Sequence, residues 1–167
     1  MNEPIGLDSL EARLRHDLDI LQFPPENWVP ARHADSGARV SDVVVVGAGM
    51  CGLTAAFALL RAGVTNTRIL DASPAGCEGP WLTFARMETL RSPKGLVGPA
   101  LGLPSLAFRS WYEAQWGRQS WLRLGKIPRP MWMDYLVWYR RVLDLPVEND
   151  SACVVVGSKD FRLLLVE

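Results

Sequence analysis

Residues Val43 to Asp71, VVVVGAGMCGLTAAFALLRAGVTNTRILD, constrain the fold of this chain more than any other stretch. Four consecutive valines favour an extended backbone, because β-branched side chains fit a pleated surface and lose rotamer freedom in a helix. Glycines break the run at Gly47, Gly49 and Gly52, and a charge-free segment of helical character continues to Leu60. A second β-branched segment closes on Asp71. The order predicts strand, phosphate turn, helix and second strand, with an acid about 20 residues past the last glycine, the context that gives a G-x-G-x-x-G its meaning. Two other readings exist. The uncharged span is long enough for a membrane helix, but three glycines would weaken that helix at its middle and the valines are strand formers. A glycine-rich loop that binds nothing is the second alternative.

In a phosphate turn each residue type has a physical task. Gly47 permits the tight turn out of the strand, Gly49 leaves room for a pyrophosphate against bare backbone, and Gly52 lets the helix lie close to the sheet. The N–H groups of Met50, Cys51 and Gly52 fall at the helix N-terminus, where the macrodipole favours an anion by about 0.3–1 kcal/mol. Asp71, at the carboxyl end of the second strand, is placed to accept hydrogen bonds from both hydroxyls of an adenosine ribose. Its charge would repel a 2′-phosphate.

From Gly52 onward the sequence reads Gly52-Leu53-x-x-Ala56-x-x-Leu59-x-x-x-Gly63. Together with Gly47-Ala48-Gly49 it resembles the FAD fingerprint of flavoproteins with two dinucleotide-binding domains. NAD-binding dehydrogenases share the glycines; the longer pattern favours FAD. The resemblance implies an α/β fold, a Rossmann-like FAD-binding domain with a parallel sheet. Its expected cofactor-binding positions are Gly47, Gly49, Met50, Cys51, Gly52 and Asp71. Asp71 departs from the pattern, since these flavoproteins usually carry Glu there and the shorter acid must reach further.

The loop Ala72-Ser-Pro-Ala-Gly-Cys-Glu-Gly-Pro-Trp81 is built from turn-forming residues and should run past the nucleotide. Flavin monooxygenases that use NADPH carry a Gly-Gly-x-Trp segment in this place, and Gly79-Pro80-Trp81 resembles a shortened variant. This adds Trp81 as a cofactor-binding candidate, with packing as the alternative in a chain that has seven Trp. The segment WMDYLVWYRRVLDLPVEN is similar to the Tyr-rich helix that precedes a β segment in those enzymes. The resemblance therefore implies an FAD-dependent oxidoreductase, in first place an NADPH-dependent monooxygenase of the N-hydroxylase and Baeyer–Villiger group acting on a small-molecule substrate. An FAD-dependent dehydrogenase or amine oxidase is the enzyme alternative, and a non-catalytic nucleotide-binding fragment is the alternative of another class. The complete enzyme would carry a second G-x-G-x-x-G for NADPH and a final flavin-contacting strand. Neither stands in these 167 residues, so the expectation is the N-terminal part of a larger flavoprotein, inactive with NADPH by itself.

No His, Ser or Cys is spaced as a catalytic triad, and no catalytic residue is assigned. Cys51, Cys77 and Cys153 form neither a C-x-x-C nor a zinc-like cluster with His16 and His33. Flavin disulfide reductases carry a second cysteine five residues after the first in this region; Leu82 follows Cys77 at that distance here and disfavours that subfamily. Eighteen acids balance 18 bases without a Lys/Arg block, which argues against nucleic acid and anionic membrane as partners. The acidic N-terminus, MNEPIGLDSLE, has no secretory pattern, and the expected location is the cytoplasm. The oligomeric state is left open.

Residues 1–36 are expected to form an amphipathic helix and linker, and residues 37–167 the FAD-binding domain. Leu7, Leu10, Leu14, Leu18 and Leu21 recur at helical spacing, with Asp8 and Glu11 placed as a capping box and Pro24 and Pro25 as the stop. Packing on the body of the same chain is favoured over binding a partner. Arg86, Arg91 and Lys94 lie in an irregular loop where a cation can meet a pyrophosphate or a carboxylate, or stay at the surface. Ser105 is a candidate cap for a helix stopped by Gly117, and Pro130 for the first position of another with Trp132, Tyr135, Leu136, Tyr139, Val142 and Leu143 on one face. Ala152 to Val156 and Phe161 to Val166 are expected to form a C-terminal β-hairpin.

Overall fold

The computed structural model describes residues 5–153. Among them the elements run α1 (Leu7–Ile20), β1 (Val43–Val46), α2 (Met50–Arg61), β2 (Thr67–Leu70), α3 (Phe108–Arg123), α4 (Arg129–Val142) and β3 (Val147–Glu148), with two 3₁₀ turns at Gly98–Ala100 and Pro104–Leu106. The strands form one parallel sheet in the order β1-β2-β3. Val43 sits opposite Thr67 and Val46 opposite Leu70, so the carboxyl ends of β1 and β2 finish side by side. The strand–turn–helix–strand unit expected from Val43 to Asp71 is present, as an incomplete Rossmann-like α/β layer. No helix among the described residues is long and apolar enough to cross a membrane.

The fingerprint positions have visible tasks in this layer. Leu53 and Ala56 are buried where α2 faces the rest of the fold. At Gly63 a Cβ would lie 2.8 Å from the Glu26 carbonyl oxygen and from the Trp28 ring, and Trp28 Nε1 donates to the Ala62 carbonyl at 2.6 Å. The segment before β1 is thus anchored on the C-terminal end of α2.

The second layer is helical and aromatic. The Phe108 ring stands between about 5 and 6 Å from the rings of Trp111, Tyr112, Trp121, Trp132 and Tyr135, spacings at which edge and tilted packing are favourable. Tyr139 joins this layer to α2 through an edge contact with Phe57. The predicted face of α4 is buried, apart from the partly buried Val142, and is widened by Met133 and Trp138. Two buried hydroxyls hold the loops beneath it: Tyr135 donates to the Leu106 carbonyl at 2.8 Å and Tyr139 to the Pro99 carbonyl at 3.0 Å. Burial pushes both phenols well above the ordinary tyrosine range. Both therefore remain donors at neutral pH.

Several local expectations are corrected. Helix α1 has no side-chain cap; Gly6 occupies the N-cap position. Glu11 instead accepts from Trp138 Nε1 at 3.1 Å and from Arg141 at 2.5 Å, and the Arg141 hydrogen bond holds its carboxyl below the usual range. The tertiary partner outcompetes the local one. Leu10, Leu14 and Leu18 pack into the common core, while Leu21 lies beyond the helix and is exposed. Ser105 lies in a 3₁₀ turn and donates to Asp17, and Ala107 precedes α3. Gly117 kinks α3, with φ 76°, and helical structure resumes to Arg123. Pro130 is the second residue of α4. Strand pairing comes earlier than expected, at Val147–Glu148, and Ala152 and Cys153 lie in no strand. The rest of the expected hairpin falls outside the described residues.

Candidate functional site

The site is built where β1 ends. Gly47 takes φ +94°, a region that L side chains rarely adopt, and its N–H donates to the Leu70 carbonyl at 2.7 Å. Gly49 caps α2 in extended geometry, with no side-chain cap and no acid in the first turn. The N–H groups of Met50, Cys51 and Gly52 therefore point out of a helix end whose partial positive charge no neighbouring side chain of that turn offsets. Cys51 is exposed and Met50 packs against the core.

Gly52 is required by sterics. A Cβ there would lie 1.7 Å from the Gly47 carbonyl oxygen. The close approach is therefore to the turn itself, with the sheet next, at 3.4 Å from Val45 Cγ1. Gly49 faces a different neighbour. The direction a side chain would take is filled by Gly79, whose Cα would be 3.5 Å from the Cβ, and a Cβ on Gly79 would be 3.4 Å from Gly49 Cα. Two bare backbones meet there, which brings the loop after β2 onto the phosphate turn.

Asp71 is buried, at 7% exposure. Its Oδ2 accepts from the Ala48 N–H at 2.6 Å and its Oδ1 from the Ser73 N–H at 2.8 Å. The acid thus braces the turn between the first two glycines. Each carboxylate oxygen retains a second lone-pair site, and Asp71 lines a cavity of about 550 Å³ at the carboxyl ends of β1 and β2, together with Val46, Gly47, Ser73 and Phe84. Crevices outside the carboxyl ends of parallel strands are where ligands bind in such sheets.

Trp81 packs by its edge on Trp132, with ring centroids 6.2 Å apart. Its Nε1 is buried without a hydrogen-bond partner and would be 3.7 Å from a Cβ on Gly79. An unpaired buried donor costs about 1–3 kcal/mol, and this one lies beside the Gly49–Gly79 contact. Of the loop cations, Lys94 is used elsewhere: its ammonium donates to the Trp121 and Leu124 carbonyls and lies 4.8 Å from the centre of the Trp121 ring. Arg86 and Arg91 are exposed. Cys51, Cys77 and Cys153 are free thiols, and no metal-ligating cluster occurs among the described residues.

Sequence reading missed Glu78, Arg140 and Asn149. Glu78 is 4% exposed and accepts from Arg140 at 2.6 Å and from Asn149 at 2.7 Å. Its signal was a lone acid in a loop otherwise made of small, turn-forming residues. Nothing local pointed to its partner 62 residues away.

A profile of the family described as FAD-NAD(P)-binding matches residues 44–159. The chain is 52% identical over 150 residues to a protein named FAD-dependent urate hydroxylase from Xanthomonas campestris pv. campestris. The match covers 90% of this chain and 32% of that relative. No solved structure matches the chain.

Proposed function

The chain belongs to the FAD-NAD(P)-binding family, and from that premise we propose that it holds FAD at the Gly47–Gly52 turn for a flavin-dependent monooxygenase. The observation that carries the reading is the turn itself. Its helix end is uncapped, two glycines close it backbone to backbone, and an unpaired Trp81 donor lies beside it. These features fit a dinucleotide. The N–H groups of Met50, Cys51 and Gly52 would receive the pyrophosphate, with Trp81 Nε1 as a further donor. Asp71 would receive the ribose hydroxyls in the cavity beyond β2.

Reduced FAD supplies activation of dioxygen and transfer of one oxygen atom to a substrate, so the chemistry is the cofactor's and the protein's part is to bind and orient it. The relative's name supports hydroxylation, and with it a small heterocycle of the urate type as the substrate class. NADPH is the reductant proposed for the whole enzyme, and the cytoplasm its location. The substrate carries no assigned residue in this chain.

Asp71→Ala tests the adenosine half of the site. Affinity for FAD should fall roughly ten- to hundredfold, corresponding to about 1.5–3 kcal/mol for lost hydrogen bonds to a charged acceptor. The melting temperature should fall as well, because the Ala48 and Ser73 N–H groups lose their acceptor. Titration with ADP and 2′-deoxy-ADP separates the two effects: the unaltered chain should prefer ADP, and Asp71→Ala should not. Equal binding of both nucleotides by the unaltered chain would remove Asp71 from the ribose site.

A further inference from the structure

The Glu78 carboxylate collects three hydrogen bonds in a nearly closed environment. Oε1 accepts from Arg140 Nη1 at 2.6 Å and Asn149 Nδ2 at 2.7 Å, and Oε2 accepts from the Gly76 N–H at 2.8 Å. Arg140 donates further to Asn149 Oδ1 at 2.8 Å and the Val147 carbonyl at 3.0 Å. Asn149 Nδ2 also donates to the Ser73 carbonyl at 3.0 Å. The loop after β2 is thus tied at Ser73 and Glu78 to the end of α4 and to Asn149 just past β3, while the Gly76 N–H braces the Glu78 carboxylate from within the loop.

Immediately past Glu78 the chain reaches Gly79, which abuts Gly49 of the phosphate turn, and two residues later Trp81, whose Nε1 has no partner. We infer that the Glu78–Arg140 pair is a positioning device, which holds the Gly79–Trp81 segment on the phosphate turn and thereby sets affinity for a pyrophosphate. The inference rests on the reading that the turn takes FAD.

Two alternatives fit less well. Glu78 and Arg140 also line a cavity of about 510 Å³ between the loop after β2 and α4, where they could bind a ligand directly. Both carboxylate oxygens and both donating guanidinium nitrogens are already engaged within the chain. A purely stabilising pair is the other alternative, but a buried ion pair adds little over well-packed apolar residues of the same volume. What a guanidinium with several directed donors does better than an apolar contact is to fix direction. Here Nη1 holds Glu78 and Asn149 and Nη2 holds the Val147 carbonyl, which sets the loop after β2 against the end of α4 and β3, with Gly79 beside Gly49.

The test uses the full chain with Glu78→Gln, Arg140→Met and Arg140→Lys, the last keeping the positive charge opposite Glu78 while losing the second nitrogen that holds the Val147 carbonyl. Each variant is titrated with FAD, ADP and adenosine, and its melting temperature is recorded. Positioning of the pyrophosphate predicts that Glu78→Gln and Arg140→Met weaken FAD and ADP by about tenfold or more, Arg140→Lys by less, and that adenosine binds as before. Should Arg140→Met fail to fold, Glu78→Gln and Arg140→Lys carry the comparison. Unchanged FAD and ADP affinities with a lowered melting temperature would show a structural pair and overturn the inference, as would an equal loss for all three ligands. Failure of the unaltered chain to bind FAD and ADP would overturn the cofactor reading and this inference with it; normal binding by that chain together with unaffected variants overturns this inference alone.

Discussion

Gly52→Ala is expected to lower the melting temperature of the chain by about 10 °C, although alanine is the better helix former. The added Cβ would fall 1.7 Å from the Gly47 carbonyl oxygen, a backbone atom that cannot rotate away as a side chain would. Alanine gains about 1 kcal/mol of helix propensity over glycine. Overpacking costs about 1–3 kcal/mol and at times more, and an overlap this deep with backbone belongs above that range, at about 4 kcal/mol. A net loss of about 3 kcal/mol corresponds to about 10 °C in a chain of this size. Thermal unfolding of the two proteins without ligand checks it. An unchanged melting temperature would mean that α2 and the turn are not packed as described.

Gly49→Val should abolish detectable FAD binding while leaving the fold intact, a loss of at least about a hundredfold, or about 2.8 kcal/mol. The backbone at Gly49, with φ −65° and ψ −178°, suits any residue, so strain is not the reason. A lone Cβ would meet Gly79 Cα at 3.5 Å, an ordinary contact, but the two γ-methyls of valine would extend into the loop. The Gly79–Trp81 segment would lift from the turn and carry the Trp81 Nε1 donor away from the proposed pyrophosphate site. Gly49→Ala should keep most of the affinity. Flavin titrations of both variants check the gradient, and Gly49→Val retaining normal affinity would remove this glycine from the site.

These two glycines show what was legible in the sequence. The spacing of Gly47, Gly49 and Gly52 between a valine run and an apolar helix placed the strand, turn and helix, because each element is dictated by local chemistry. The partners that make the glycines necessary were less visible. Gly52 meets the turn before it meets the sheet, and Gly49 meets Gly79, on a loop that returns only after β2. Asp71 was legible as an acid at a strand end, but its bond to the Ala48 N–H was not.

Side chains with two available partners were the least legible. Glu11 stands at capping-box spacing, yet Arg141 offers a charged fork from 130 residues away, and the ion pair prevails over the local bond. Lys94 sits in a loop suited to meeting an anion, but the carbonyls at the C-terminal end of α3 and the Trp121 ring already hold it. Gly117 has the composition of a helix stop; Trp121, packed on Phe108 and Tyr112, carries the helical backbone on past it. In each case long-range packing decided between options that local sequence left open.

Calorimetric titration of the purified chain with FAD, and in parallel with NAD and NADP, decides whether the Gly47–Gly52 turn is an FAD site. One FAD per chain is predicted, with both nicotinamide nucleotides at least about tenfold weaker. Absence of FAD binding, or tighter binding of NADP than of FAD, would contradict it.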